Sequence, residues 1–451
     1  MTGTLVLITV FSALMVLSVV NRRWLMFGIL LVGGFPMGVF AAQERFYGLY
    51  ANGVFLFIIL FAVAIALVRA IPTILINSLR YNGYMLFLLY CLSSLLWTTD
   101  IEWGLRMLIK LAAPFVFFIA MQAFLKKDQD FVVAERFIII ACLIVSMLAV
   151  INTLDNGVLT PNEDMFNVRH NYLTAPYMSP ANFSFFIGSG AILSLSNIFN
   201  TKKRIYFFLT ILLSSFLFWS FVRISMFGLI AAFALIFVLL SKNIIIRVTV
   251  PVVIIMVFIT CFFTLDKFRS RMFKTDKVTL EMVFSANENN IDKLIYTSGR
   301  STLWREVYRE FVQQSPLVGK GIGSTDSWLE MRGKGRLHSE YLRILCDTGI
   351  VGLFLYLGAI FQFYILLIRN YYRSNDNTVR VYSARALAGL TFYLFTLATD
   401  NSLNYISEFS LYVFTFMAFA FIPRIKFDKI SDSASLPFLP MKSSSHYIPD
   451  H

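Results

Sequence analysis

Charge is scarce in this chain: 14% of its 451 residues are Asp, Glu, Lys or Arg, against about 25% in a soluble domain. With 58% hydrophobic residues and a mean hydropathy of +0.70, that shortage excludes an ordinary soluble globule. Polar–apolar alternation is missing too, which excludes a β-barrel, whose strands are ~10 residues of alternating polarity. The four cysteines, Cys91, Cys142, Cys261 and Cys346, lie in or beside apolar runs without metal-ligand spacing, so they read as small hydrophobes. Histidine is equally sparse: His446 and His451 are in the tail, and His170 and His338 are in separate loops. That is too little for a metal site, so neither metal nor cofactor is expected. The first apolar run lacks a basic start and a small-residue cleavage site, and reads as a retained helix. No pair of matching halves marks a secondary transporter.

What the chain does have is apolar runs, most of roughly 16–22 residues, each able to cross a ~30 Å hydrocarbon layer as a helix that bonds its own backbone. The runs are Thr4–Val20, Trp24–Phe40, Ala51–Ala70, Asn82–Trp97, Leu105–Leu125, Phe137–Ile151 and Met178–Phe199. Then come Ile205–Ser220, Ser225–Leu240, a tenth ending near Phe263, Thr348–Ile368, Ala386–Ala398 and Leu411–Phe421. The expected fold is an all-α polytopic membrane bundle of 12 or 13 transmembrane helices, one domain over 1–424, with a basic Ser/Pro-rich tail at 425–451 that predicts no packed structure. The net charge of +13 is spread over the links between runs. It therefore points to topology and to anchoring on anionic lipid, and away from nucleic acid. Assigning the links at Arg22-Arg23, Arg69 to Arg80, Lys126-Lys127, Lys202 to Arg204, Lys242 to Arg247, Arg369 to Arg385 and the tail to the cytoplasm lets every helix cross once. The loop 152–176, Arg223, the long polar interval 265–347 and Asp400 then share the outer face.

Chemistry is expected on that face. Arg223 sits in a tight turn between two apolar helices; a lone arginine there is commonly a snorkelling anchor, but a fixed guanidinium also suits a diphosphate oxygen pair. Arg300 opens an amphipathic stretch in which Leu303, Trp304, Val307, Tyr308 and Phe311 fall on one helical face. In its first turn the free backbone N–H groups favour an anion, whereas the ordinary reading is a solvated surface charge. Gly319-Lys-Gly-Ile-Gly323 lacks a preceding strand and a Gly-Lys-Ser/Thr ending, so it reads as a flexible turn and not a nucleotide loop. His338, with an unperturbed pKa of ~6.5, could accept a proton from a sugar hydroxyl, or could simply be solvated. Lys320, Arg336 and Arg343 make its neighbourhood basic, fitting an acidic or pyrophosphate-bearing substrate. Asp400, Arg169 and His170 are further outer-face candidates for substrate contact.

In this order, Arg223, Ser-Gly-Arg300 with Trp304, Gly-Lys-Gly-Ile-Gly323, His338-Ser-Glu-Tyr-Leu342 and Asp347-Thr-Gly-Ile-Val-Gly352 resemble the superfamily of O-antigen ligases and O-antigen or exopolysaccharide polymerases. The resemblance spans about 205–368 and departs from the family pattern at Val222, Ser339 and Asp347. It implies a GT-C-like glycosyltransferase of the bacterial inner membrane with a large periplasmic loop. Such an enzyme is metal-independent and inverting, and moves a glycan from undecaprenyl diphosphate to an acceptor hydroxyl. Arg223 and Arg300 would bind the donor diphosphate and His338 would serve the acceptor. In a polymerase the acceptor is another lipid-linked repeat unit; in a ligase it is lipid A-core. The polymerase reading comes first, on the His-x-Glu-Tyr-Leu-Arg run, with a chain-length regulator as a further partner. A lipid flippase or other polysaccharide transporter is the competing class, and would place ionisable residues at the bilayer midplane.

Overall fold

A computed structural model of the protein describes residues 2–35, 51–68, 80–154, 173–176, 178–264 and 300–433. Arg169, His170, the first part of the polar interval (265–299) and the end of the tail (434–451) lie outside the described residues. All the regular structure described is helical. The N-terminal helices are α1 (Thr2–Val20), α2 (Arg22–Val32), α3 (Ala51–Val68), α4 (Asn82–Ser93), α5 (Ile101–Phe124) and α6 (Asp128–Leu154). The chain continues with α7 (Pro180–Thr201), α8 (Arg204–Trp219), α9 (Arg223–Leu240), α10 (Ile244–Thr264), α11 (Arg300–Val307) and α12 (Ser324–Met331), and closes with α13 (Glu340–Arg373), α14 (Asn377–Thr399) and α15 (Leu411–Ser433). Each of the thirteen apolar runs overlaps one of these helices within the described residues, while 36–40 of the second run and 69–70 of the third lie outside them. Six of them, α5, α6, α7, α9, α13 and α14, are long and apolar enough to cross a membrane, the build of a multi-pass membrane protein.

Why the helices start where they do is legible locally. Asp100 caps α5, its carboxylate accepting from the N–H groups of Glu102 and Trp103, so the helix begins before its first long apolar stretch. Ser179 caps α7 with Pro180 in the first turn, and Ser339 caps α13. The centre of the bundle is α14, which packs against α7, α9, α13 and α15. On α13, Tyr356, Ile360 and Phe363 turn inward, while Phe354 and Phe361 are 76% and 64% exposed. A helix apolar on both its inner and its outer face is one whose solvent is lipid.

Two sequence expectations change here. Arg385 is no part of a cytoplasmic basic link. It lies inside α14, fully buried, and donates to Glu135 Oε1 at 2.5 Å, Ser196 Oγ at 2.7 Å and Asn197 Oδ1 at 2.6 Å. Asn197 Nδ2 closes the ring on Glu135 Oε2 at 2.9 Å. The charge stays inside because α6 and α7 supply the carboxylate and amide that replace water. Tyr308 is the second change. A π-turn at Tyr308–Val312 follows α11 and adds a residue to the register, so Phe311 and Val312 face inward while Tyr308 is 46% exposed. With Val307, Trp328 and Leu337 they form a small separate core, on which Leu303 and Trp304 pack.

Candidate active site

The polar layer over the bundle is built on Asp347, at the end of the first stretch of α13. Its Oδ2 accepts from the N–H of Gly323 at 2.8 Å, and its Oδ1 from Thr325 N–H at 2.9 Å and Thr325 Oγ at 2.5 Å. The N-terminus of α12 is thus an anion site, as helix starts tend to be, and its anion is internal. The backbone adds Gly321 N–H to Asp347 O at 2.8 Å and Lys320 N–H to Cys346 O at 3.2 Å. Gly323 has φ +82, and a β-carbon there would stand 2.4 Å from Gly104 N; at Gly349, φ +67, it would stand 2.2 Å from Leu317 O. The glycine-rich segment, expected as a flexible turn, is therefore a tight latch.

This latch sets the direction of α13, whose helical backbone is interrupted at Gly349. Arg343, one turn in from the helix start, is fully buried. Its Nη1 lies 2.9 Å from Glu340 Oε2, and its Nη2 lies 3.5 Å from Asp326 Oδ1 and 3.1 Å from Asn401 Oδ1. Buried in this way, Arg343 organises Asn401 and presents no surface to a ligand.

Asn401 belongs to a turn whose polar groups are held by separate elements. Arg300 Nη1 donates to the carbonyl of Thr399 at 2.6 Å. Glu340 Oε1 accepts from Leu403 N–H at 3.2 Å, and Lys110 Nζ donates to Asn404 Oδ1 at 2.6 Å. Ser179 Oγ and the Tyr405 hydroxyl are 3.3 Å apart. Burial, reinforced by the charge of Asp400, pushes the Tyr405 phenol up to about 12, so it remains protonated.

His338 sits against this turn. Its backbone is left-handed, φ +54, an uncommon conformation for a residue with a side chain. Two anchors hold it there: Trp304 Nε1 donates to the carbonyl of the preceding Leu337 at 2.6 Å, and Asn401 Oδ1 accepts from His338 N–H at 3.0 Å. The ring is 35% exposed; its Nδ1 lies 3.0 Å from Asn401 Nδ2 and 3.9 Å from Asp400 Oδ1. The Asp400 carboxylate is nearly buried, and accepts from Asn401 N–H at 2.7 Å.

Arg223 is the first residue of α9, placed by the Ser220–Val222 turn in which Phe221 is left-handed. It is half-buried, and its guanidinium and that of Arg300 are close enough for their charges to repel. Two like charges held together in partial desolvation favour an anion between them. Of the other sequence candidates, Arg336 is exposed and its charge reaches Tyr405. Lys320 turns to Gln314 Oε1 at 2.6 Å and Glu310 Oε1 at 3.5 Å, with Phe311 beneath it. Neither partner is part of the His338 network.

The structure thus gathers His338, Asp400, Arg300 and Arg223 around the end of α14. Sequence reasoning passed over Asn401, although it stands beside Asp400, because an asparagine in a loop carries no charge signal. It also missed Lys110, hidden in an apolar helix. Among the described residues no group of three or more His, Cys, Asp or Glu could hold a metal ion.

The family model described as O-antigen ligase matches residues 208–357, about a third of the chain. The match takes in Arg223, Arg300, His338 and Asp347, and stops short of Asp400 and Asn401. Among curated proteins, none matches the chain.

Proposed function

We propose that this multi-pass membrane protein is a glycosyltransferase of the bacterial inner membrane, working at its periplasmic face. The donor is an undecaprenyl-diphosphate-linked oligosaccharide, and the acceptor is the non-reducing-end hydroxyl of another lipid-linked repeat unit, which makes the chain a polysaccharide polymerase. Arg223 and Arg300 take the diphosphate, and His338 stands beside them at the point of transfer. The observation that carries the reading is Arg300 bonded to the end of α14 within electrostatic reach of Arg223, with the part-exposed His338 ring against the turn that follows, where the apolar bundle gives way to the polar layer.

A diphosphate is a good leaving group that needs its developing charge met more than it needs a strong acid, and paired guanidiniums meet it in a fixed fork geometry. On this reading metal is dispensable and the anomeric carbon inverts. The O-antigen ligase match favours a second reading, transfer to lipid A-core. Transport has less support: the ionisable pair inside the bundle, Arg385 and Glu135, is closed by its own hydrogen bonds.

Reconstitution with undecaprenyl-diphosphate repeat units, alone and with lipid A-core, tests this. Lengthening of the lipid-linked glycan supports the polymerase, and added mass on lipid A-core supports the ligase. The His338→Asn variant, whose side chain tolerates a left-handed backbone, should insert normally and lose transfer. Normal polymer from it would refute the site.

A further inference from the structure

The hydrogen bonds around Asn401 fix more than a position. Its Oδ1 takes two donors, His338 N–H at 3.0 Å and Arg343 Nη2 at 3.1 Å. The reverse orientation would set an NH2 group against two N–H groups inside the protein, leaving buried donors unsatisfied. Nδ2 must therefore be the atom that meets His338 Nδ1 at 3.0 Å, and an amide nitrogen can only donate. Nδ1 of the neutral ring is then the acceptor, and the ring proton resides on Nε2.

We infer that Asn401 is a positioning residue that holds neutral His338 as its Nε2–H tautomer, so that the ring meets the substrate as a hydrogen-bond donor. On the reading proposed above, on which this rests, the oxygen it serves is the departing diphosphate. The acceptor oxygen bonds to the anomeric carbon as the bond from that carbon to the diphosphate oxygen breaks. The electron pair stays on that oxygen, towards which Nε2–H donates beside Arg223 and Arg300, and the acceptor's proton passes to water. This differs from the base that the residue type alone suggests. A base at Nε2 needs the proton on Nδ1, and the acceptor for such a proton, Asp400, lies 3.9 Å away while Asn401 is at 3.0 Å.

Nitrogen NMR of the full chain in lipid, labelled with 15N-histidine, reads the tautomer directly, with His338 identified by its absence in His338→Asn. Above the pH at which the ring loses its charge, wild type should show Nε2 protonated and Nδ1 bare; a bare Nε2 overturns the inference. Asn401→Asp keeps an acceptor for His338 N–H and for Arg343 but replaces the amide donor, so it should move the proton to Nδ1. An unchanged tautomer there would mean that Asn401 does not set it. No substrate enters these measurements, so they stand or fall independently of the glycosyltransferase reading. In the transfer assay Asn401→Asp should be at least about tenfold slower, since losing one donor to a developing oxyanion costs on the order of 100-fold or more. Transfer by Asn401→Asp at the wild-type rate would overturn the donor role.

Discussion

Replacing Asp347 by alanine removes the acceptor for three donors, the N–H groups of Gly323 and Thr325 and the Thr325 hydroxyl. Asp347 is 2% exposed and Thr325 fully buried, so water does not readily take the carboxylate's place. An unsatisfied buried donor costs about 1–3 kcal/mol. Three of them, with some relaxation of the loop, put the loss at roughly 3–5 kcal/mol. Asp347→Asn can keep an oxygen on Thr325 and wrongs only the Gly323 side, for a loss of about 1–3 kcal/mol. Thr325→Val removes a single hydroxyl and should cost about 1 kcal/mol in wild type, and much less on top of Asp347→Ala. Thermal unfolding in detergent, followed by the fluorescence of Trp304 and Trp328 in the neighbouring small core, gives the order. The reasoning fails if alanine and asparagine are equally stable, or if Thr325→Val costs the same in both backgrounds.

Arg300→Lys keeps the charge but loses the guanidinium that reaches the Thr399 carbonyl and that, on the proposed reading, forks onto the diphosphate; transfer should drop about tenfold or more, with Arg300→Ala lower still, measured as lengthened lipid-linked glycan. EDTA should leave transfer unchanged, and a loss restored by magnesium would contradict diphosphate binding by arginine alone. Glu135→Leu should destabilise the bundle by about 3–5 kcal/mol by stranding Arg385. The double change with Arg385→Leu should recover much of that, read as the midpoint of thermal unfolding. Gly349→Ala meets Leu317 O at 2.2 Å with φ +67, and should cut the yield of folded protein judged by size-exclusion profile.

Apolar run length found the helices because lipid imposes one solution on the backbone, whatever the side chains. Thr4–Val20 and Ile205–Ser220 needed nothing beyond their composition. The same logic misread Arg385, since a positive charge near a helix end is ordinarily a cytoplasmic marker, and only the partners on α6 and α7 reveal it as internal. Arg223, Arg300, His338 and Asp400 were visible as charged or titratable groups stranded among apolar runs. Their supports were legible only in part: Glu340 was a candidate without a settled role, and its bond to Leu403 N–H, like that of Asn401 to His338 N–H, spans 63 residues of chain, a meeting that no local pattern encodes. The glycine-rich segment, expected as a flexible turn, is rigid instead, and its rigidity comes from Asp347, more than twenty residues further on.

Gly349 carries one more consequence. Beyond it, α13 continues from Ile350 as if it were a new helix, and a new helix has unsatisfied N–H groups at its start. Those of Ile350 and Val351 are taken by the carbonyls of Pro316 at 2.9 Å and Leu317 at 3.1 Å. Against hydrocarbon, each would otherwise cost several kcal/mol. The start of this second stretch is thus closed by the segment that precedes it in the chain, whose next residues, Gly319 to Gly323, latch onto Asp347 on the other side of Gly349.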